Sequence, residues 1–107
     1  MNLPFSYNTE YIKEYKTGTE KFKQFVQTNI SVDDKISTDI SQLSWTILPY
    51  YLPNNKISGQ INKNSNGYVM TNKKIEEVKK ILSNTNVNLV FSGDIDSKYK
   101  FNVYYVE

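Results

Sequence analysis

The sequence predicts an α+β fold on three observations. Apolar residues recur at helical spacing near the N-terminus, a lysine- and glutamate-rich helix lies in the second half, and apolar and polar residues alternate on both sides of that helix. The expected architecture is N-terminal helices plus a four-stranded antiparallel or mixed sheet, built from two hairpins and crossed by one helix. The 107 residues suit a single domain, 1–107, with a helical half at 1–48 and a mainly β half at 57–106.

Two helices are predicted in the N-terminal quarter. Asn8 can cap the first, which covers about 8–16. Thr17 and Glu20 have the capping-box spacing that can begin the second, which reaches about Asn29. A single glycine stands between them, and because it costs only about 1 kcal/mol inside a helix, the two can equally be one bent helix.

A third helix is predicted at 32–44. Apolar residues follow one another there at helical intervals: Val32, Ile36, Ile40, Leu43 and Ile47. The next segment, 45–48, fits either a short strand or a helix end. The connector from Pro49 to Pro53 is expected to be extended or to turn, because proline lacks the amide hydrogen that a helix interior needs.

The second half has a period of two except at one helix. Residues 57–61 and 67–71 are predicted to form a hairpin around an Asn-Gly turn, where the glycine favours a positive φ. A helix follows at 73–83. A second hairpin then joins 87–92 to 99–106.

The last strand presents two different faces. One apolar side is predicted to pack beneath the 73–83 helix through Phe101, Val103 and Tyr105. The opposite side is mixed and needs cover, either from the N-terminal helices or from another molecule. The strand is also expected at a sheet edge, where a second copy of the chain could pair with it to form a homo-oligomer. Tyr104 and Lys100 are therefore candidates for contact with a partner.

Absent residue types exclude most catalytic chemistry. The chain contains no Cys, His or Arg, so it has no Ser-His-Asp or Cys-His nucleophile, no His- or Cys-ligated zinc and no arginine finger. Neither a G-x-x-x-x-G-K phosphate loop nor a dinucleotide fingerprint occurs. We therefore predict a protein that is not an enzyme and carries no cofactor. A hydrolase that uses carboxylates is the third alternative.

Two segments imitate metal sites. Residues 62–67 have the spacing of the start of a calcium loop, but their side chains are neutral, and Lys73 stands where a glutamate ligand belongs. Asp94 and Asp96 form a carboxylate pair in a segment typical of a β-turn. Both segments are interpreted as turns, so no metal site is predicted.

Composition suggests a source and a compartment. Lysine and asparagine are abundant, and all thirteen basic residues are lysine, a bias typical of AT-rich coding DNA. This favours a low-GC bacterium or one of its mobile elements, such as a phage. No basic leader with an apolar core is present, and no apolar run approaches the roughly 18 to 20 residues of a membrane span. We expect a cytoplasmic protein without a membrane partner.

The aromatic content favours protein binding. Nine Tyr, five Phe and one Trp exceed what a core of this size needs, and exposed aromatic residues are enriched at protein interfaces. The preferred contact segment is the proline-bounded connector, with Trp45, Tyr50, Tyr51 and Leu52. The predicted function is a small binding protein that acts by protein–protein interaction. Inhibitors of host defence from mobile elements, such as anti-CRISPR proteins, and immunity proteins share its size and composition.

Nucleic-acid binding is the alternative function. Residues 54–80 carry six lysines and two acids, and those lysines could contact phosphate: Lys56, Lys63, Lys73, Lys74, Lys79 and Lys80. Four of the six flank Glu76 and Glu77, an arrangement typical of a solvated helix face. Protein binding therefore remains the first hypothesis.

Overall fold

The computed structural model describes residues 20–82, 86–94 and 100–107. The described helices are α1 (residues 20–29), α2 (Leu48–Tyr51, preceded by a π-helical turn at Leu43–Ile47) and α3 (Ile75–Ile81). The strands are β1 (Ile36–Thr38), β2 (Ile57–Ser58), β3 (Gly67–Thr71), β4 (Val87–Gly93) and β5 (Phe101–Val106). The α+β class is confirmed, and the helix predicted at 8–16 lies outside the described residues.

The strands form one mixed sheet in the order β2-β1-β3-β5-β4. β1 runs parallel to both of its neighbours, whereas β5 is antiparallel to β3 and to β4. The sheet therefore has five strands in the described residues, one more than predicted, and the additional strand is β1.

β1 overturns the helix predicted at 32–44. All three of its residues are buried, and it lies between β2 and β3 within the segment predicted to be helical. A strand that is covered on both faces does not alternate apolar and polar residues. The spacing of four between Val32, Ile36 and Ile40 therefore imitated a helix.

The predicted hairpin of 57–61 with 67–71 is wrong, because β1 separates its two strands. Ile36 pairs with Ile57 on one side and with Tyr68 on the other. The second hairpin is confirmed: β4 and β5 pair antiparallel, with a register shift between Leu89 and Phe91.

The last strand is not an edge of the sheet. β5 pairs with β3 on one side and with β4 on the other, so its backbone has no free side for a second copy of the chain. The outer strands of the described sheet are β2 and β4.

Helices cover both faces of the sheet, in the reverse of the predicted assignment. Phe101 and Val103 belong to the core that α1 and the 41–51 segment build on one face. Tyr104 and Val106 lie on the other face with Val78 of α3. Alternation fixes which residues share a face, but it does not specify which helix covers that face.

Candidate interaction surface

A helical segment at 41–51 carries the most exposed aromatic side chains of the described chain. It contains a π-helical turn in which the Leu48 amide donates to the Leu43 carbonyl, five residues back. Both leucines are fully buried in the core. The π-helical turn therefore places this five-residue pair on the inner side of the segment.

Trp45 and Tyr50 have the same five-residue spacing and occupy the outer side. Trp45 is 83% exposed and Tyr50 is 81% exposed, whereas most residues of their size are largely buried in folded domains. π-helical turns inside α-helices are frequent at functional sites. We call these two residues the aromatic pair.

Pro49 does not interrupt this segment, so the connector predicted to be extended or to turn is wrong for residues 49–51, which are helical. The proline lies at the start of α2, directly after the π-helical turn, and the helical segment continues through it to Tyr51. Pro53 instead follows the end of the helix at Leu52, a position where proline is common.

The other two candidates on this segment point inward. Leu52 is only 8% exposed and belongs to the core, so it has no surface to offer a partner. Tyr51 is half-buried and lies between the surface and the core, with ring centroids 5.4 Å from Tyr50 and 5.9 Å from Phe22. Tyr51 therefore packs between Tyr50 on the surface and Phe22 in the core.

Tyr104 is not a surface residue, contrary to expectation. It is 2% exposed beneath α3, and its hydroxyl donates to the Lys73 carbonyl at 2.8 Å. The Asn102 amide donates to the same carbonyl and to the Tyr104 hydroxyl. These bonds fasten the start of α3 to β5, so the role of Tyr104 is structural.

Alkaline pH should weaken this attachment. Burial raises the pKa of the Tyr104 phenol, the nearby carboxylates of Glu76 and Glu77 raise it further, and the Asn102 hydrogen bond opposes them. A raised folded-state pKa stabilises the protein below the unfolded value of about 10, and this contribution is lost as pH rises through the folded value.

We expect Tyr104→Phe to lower the free energy of unfolding by about 1 kcal/mol at pH 7, the net value of one hydrogen bond. Urea unfolding between pH 7 and 11 should also show a smaller alkaline loss of stability in the variant than in the wild type. Equal alkaline losses in the two proteins would assign the effect to other groups.

Lys100 immediately precedes β5, at the loop end of the β4–β5 hairpin. It is exposed and lines a shallow cleft of about 470 Å³ with Asp94, Asn72 and Ser92. Asp96, the other half of the predicted carboxylate pair, lies outside the described residues. The described residues contain no cluster of three or more side chains able to hold a metal ion.

Three of the six lysines that the nucleic-acid hypothesis names have local structural roles. Lys73 donates to Asp39 at 2.7 Å, and this hydrogen bond, reinforced by the carboxylate charge, raises the pKa of Lys73. Lys79 and Lys80 stand in the last turn of α3, where cations complement the helix dipole. Nucleic-acid binding through this set remains a prediction.

The 62–67 segment is a loop that uses its side-chain oxygens on its own backbone. The Asn62 side chain accepts from the Asn64 amide at 2.9 Å, and the Ser65 hydroxyl accepts from the Asn62 amide at 3.0 Å. Gly67 has the expected positive φ, of 78°. These bonds support the interpretation as a turn.

The sequence alone did not reveal that three polar residues lie together beside β1. Lys35, Ser37 and Ser58 meet only because β1 pairs with β2, and no local signal indicates that pairing. Asp39, which forms the ion pair with Lys73, was also missed, because the two residues are 34 positions apart in the sequence.

Comparison with protein-family models, with curated proteins and with solved structures gave no match. Within the part of the chain that the structure describes, no helix has the length and apolar content of a membrane span. Function is therefore argued from the surface itself.

Proposed function

We propose that this protein is not an enzyme and acts by binding another protein through Trp45 and Tyr50. The observation that carries the proposal is the exposure of the aromatic pair, above 80% for both side chains. Trp and Tyr are the residue types most enriched among interface hot spots, because they bury large areas while their polar atoms still find partners.

Support beneath Tyr50 favours binding. The Tyr50 ring contacts Tyr51, and the Tyr51 ring contacts the fully buried Phe22. A side chain held from below loses less rotamer freedom when a partner covers it, so more of the contact energy appears as affinity.

The mode of action proposed is occlusion of a partner's surface. The lysine- and asparagine-rich composition and the small size support an inhibitor from a phage or another mobile element, or an immunity protein, acting in a bacterial cytoplasm.

Replacing the aromatic pair should abolish partner binding without unfolding the chain. Tagged wild type and the double variant Trp45→Ala/Tyr50→Ala are used as baits in a low-GC bacterial lysate, and the captured protein is then purified and titrated with each. We expect a roughly 1,000-fold weaker affinity for the double variant, since each hot-spot truncation costs at least about 2 kcal/mol and about 1.4 kcal/mol corresponds to a tenfold change in affinity.

Leu89→Ala is the matched control, because Leu89 is an exposed apolar residue on β4, 54% exposed and outside the helical segment. It should bind like the wild type. The proposal fails if no stoichiometric protein is captured, or if the double variant binds the captured protein as tightly as the wild type does.

A further inference from the structure

A cleft of about 370 Å³ opens beside β1 and β2, beneath the loop at 59–66. Its lining is rich in hydroxyl, amide and ammonium groups and contains neither a carboxylate nor an aromatic ring. The polar side chains that line it are Lys35, Ser37, Lys56, Ser58, Asn62, Asn64, Ser65 and Asn66.

Strand pairing places two hydroxyl groups side by side in this cleft. Ser37 of β1 pairs with Ser58 of β2, so both side chains point to the same face of the sheet. Ser37 is only 6% exposed, so its hydroxyl lies at the floor of the cleft rather than at its rim.

The cleft carries two uncompensated positive charges. Lys35 immediately precedes β1, and Lys56 immediately precedes β2. Neither lysine forms an ion pair with a carboxylate of the described chain, where the one ion pair joins Lys73 to Asp39. Parallel pairing of the strands brings the two ammonium-bearing residues to the same end of the cleft.

The surroundings of the cleft are fixed before any ligand arrives. The Ile36 amide donates to the Lys56 carbonyl, and the Asn55 side chain donates to the Asp34 carbonyl at 3.1 Å. On the loop side, the Tyr68 amide donates to the Lys35 carbonyl at 2.9 Å. A site built on paired strands holds its donors in place and lowers the ordering cost of binding.

We propose that this cleft binds the phosphate group of a small molecule. A phosphate presents several acceptor oxygens and a double negative charge, which two lysines and neighbouring hydroxyl and amide donors complement. The cleft volume lies within the range of small-ligand sites. The absence of an aromatic ring from the lining argues for recognition of the oxyanion rather than of a stacked base.

An NMR titration of the full chain tests the inference at constant ionic strength. Inorganic phosphate and glycerol 3-phosphate are the two probes, and they separate a free ion from a phosphate ester. We expect saturable shifts of the Ser37, Ser58 and Asn64 amides with at least one probe. Shifts that do not saturate, or that are spread evenly over all exposed lysines, overturn the proposal.

Charge-matched variants localise the binding. Lys35→Gln/Lys56→Gln should weaken phosphate binding about 100-fold, roughly tenfold for each lost charge-assisted hydrogen bond. Lys74→Gln/Lys79→Gln removes the same charge on α3 and should leave binding unchanged. Ser37→Ala should weaken binding several-fold while the fold is retained.

If both double variants lose the same phosphate affinity, the binding depends on net charge and not on this cleft, and the proposed site is wrong. Tighter binding of a single-stranded oligonucleotide than of either small probe would overturn it in favour of nucleic-acid recognition. The cleft shares no residue with the aromatic pair, so these results and those for protein binding are independent.

Discussion

Gly67→Ala should lower the free energy of unfolding by roughly 2 to 4 kcal/mol, because two penalties coincide at this position. Its φ of 78° lies in the left-handed region, which costs an L-residue about 1–2 kcal/mol. A Cβ atom there would also clash with the Lys35 carbonyl oxygen, a backbone atom that has no rotamer to move away.

The position matters because it joins the 59–66 loop to the sheet. The carbonyl that the new methyl group would meet is the one that accepts the Tyr68 amide, so relief of the clash must stretch the β1–β3 contact. Urea unfolding of the variant measures the loss. The same variant should also weaken phosphate binding in the cleft, since Lys35 would shift.

Gly59→Ala is the control. A Cβ at Gly59 would lie 3.8 Å from the Ser44 hydroxyl oxygen, an ordinary contact, and should change stability by about 0.5 kcal/mol or less. If Gly67→Ala is as stable as Gly59→Ala, the close approach of Gly67 to Lys35 does not exist in solution.

The elements that the sequence predicts correctly are those fixed by neighbouring residues. The helix predicted at 73–83 is observed as α3, Ile75–Ile81, with Val78 buried and charged residues outside. The hairpin of β4 and β5 follows from strict alternation in the two strands. α3 has one buried side and one solvent-facing side, whereas β5 is buried on both faces and still shows the alternation that identifies a strand.

β1 could not be predicted because its environment is set by distant strands. Three residues are too few to show a period, and Ile36 is buried by partners 21 and 32 residues away, Ile57 and Tyr68. Parallel pairing also lacks the turn that identifies a hairpin. The cleft beside Ser37 depends on this pairing and was hidden for the same reason.

The aromatic pair was chosen correctly as exposed, but on a wrong structural basis. Trp45 was predicted in a short strand or helix end and Tyr50 in an extended or turning connector, whereas Trp45 lies in the π-helical turn and Tyr50 lies in α2. Leu52 and Tyr104 were chosen with them by residue type and are buried. Residue type thus supplied the candidates, while their exposure depended on helix register, which the sequence does not specify at a π turn.

Phe22→Ala should be the most destabilising single truncation considered for this chain, with a loss of about 3–5 kcal/mol. Phe22 of α1 is fully buried and its ring lies within 5.2 to 6.0 Å of three others, those of Tyr51, Phe91 and Phe101. These partners belong to α2, β4 and β5, so no single neighbour can move to fill the cavity.

The loss would be a large fraction of the roughly 5–15 kcal/mol that stabilises a typical domain, and a lower urea midpoint with an unchanged slope would measure it. Trp45→Ala is the matched control, since it removes a larger aromatic side chain that is 83% exposed and should cost about 0.5 kcal/mol or less. Because Tyr51 rests on Phe22 and supports Tyr50, Phe22→Ala should also weaken partner binding under conditions where it remains folded. A Phe22 variant as stable as the Trp45 variant would mean that α1 does not pack on this face of the sheet, and the support proposed for the aromatic pair would be lost with it.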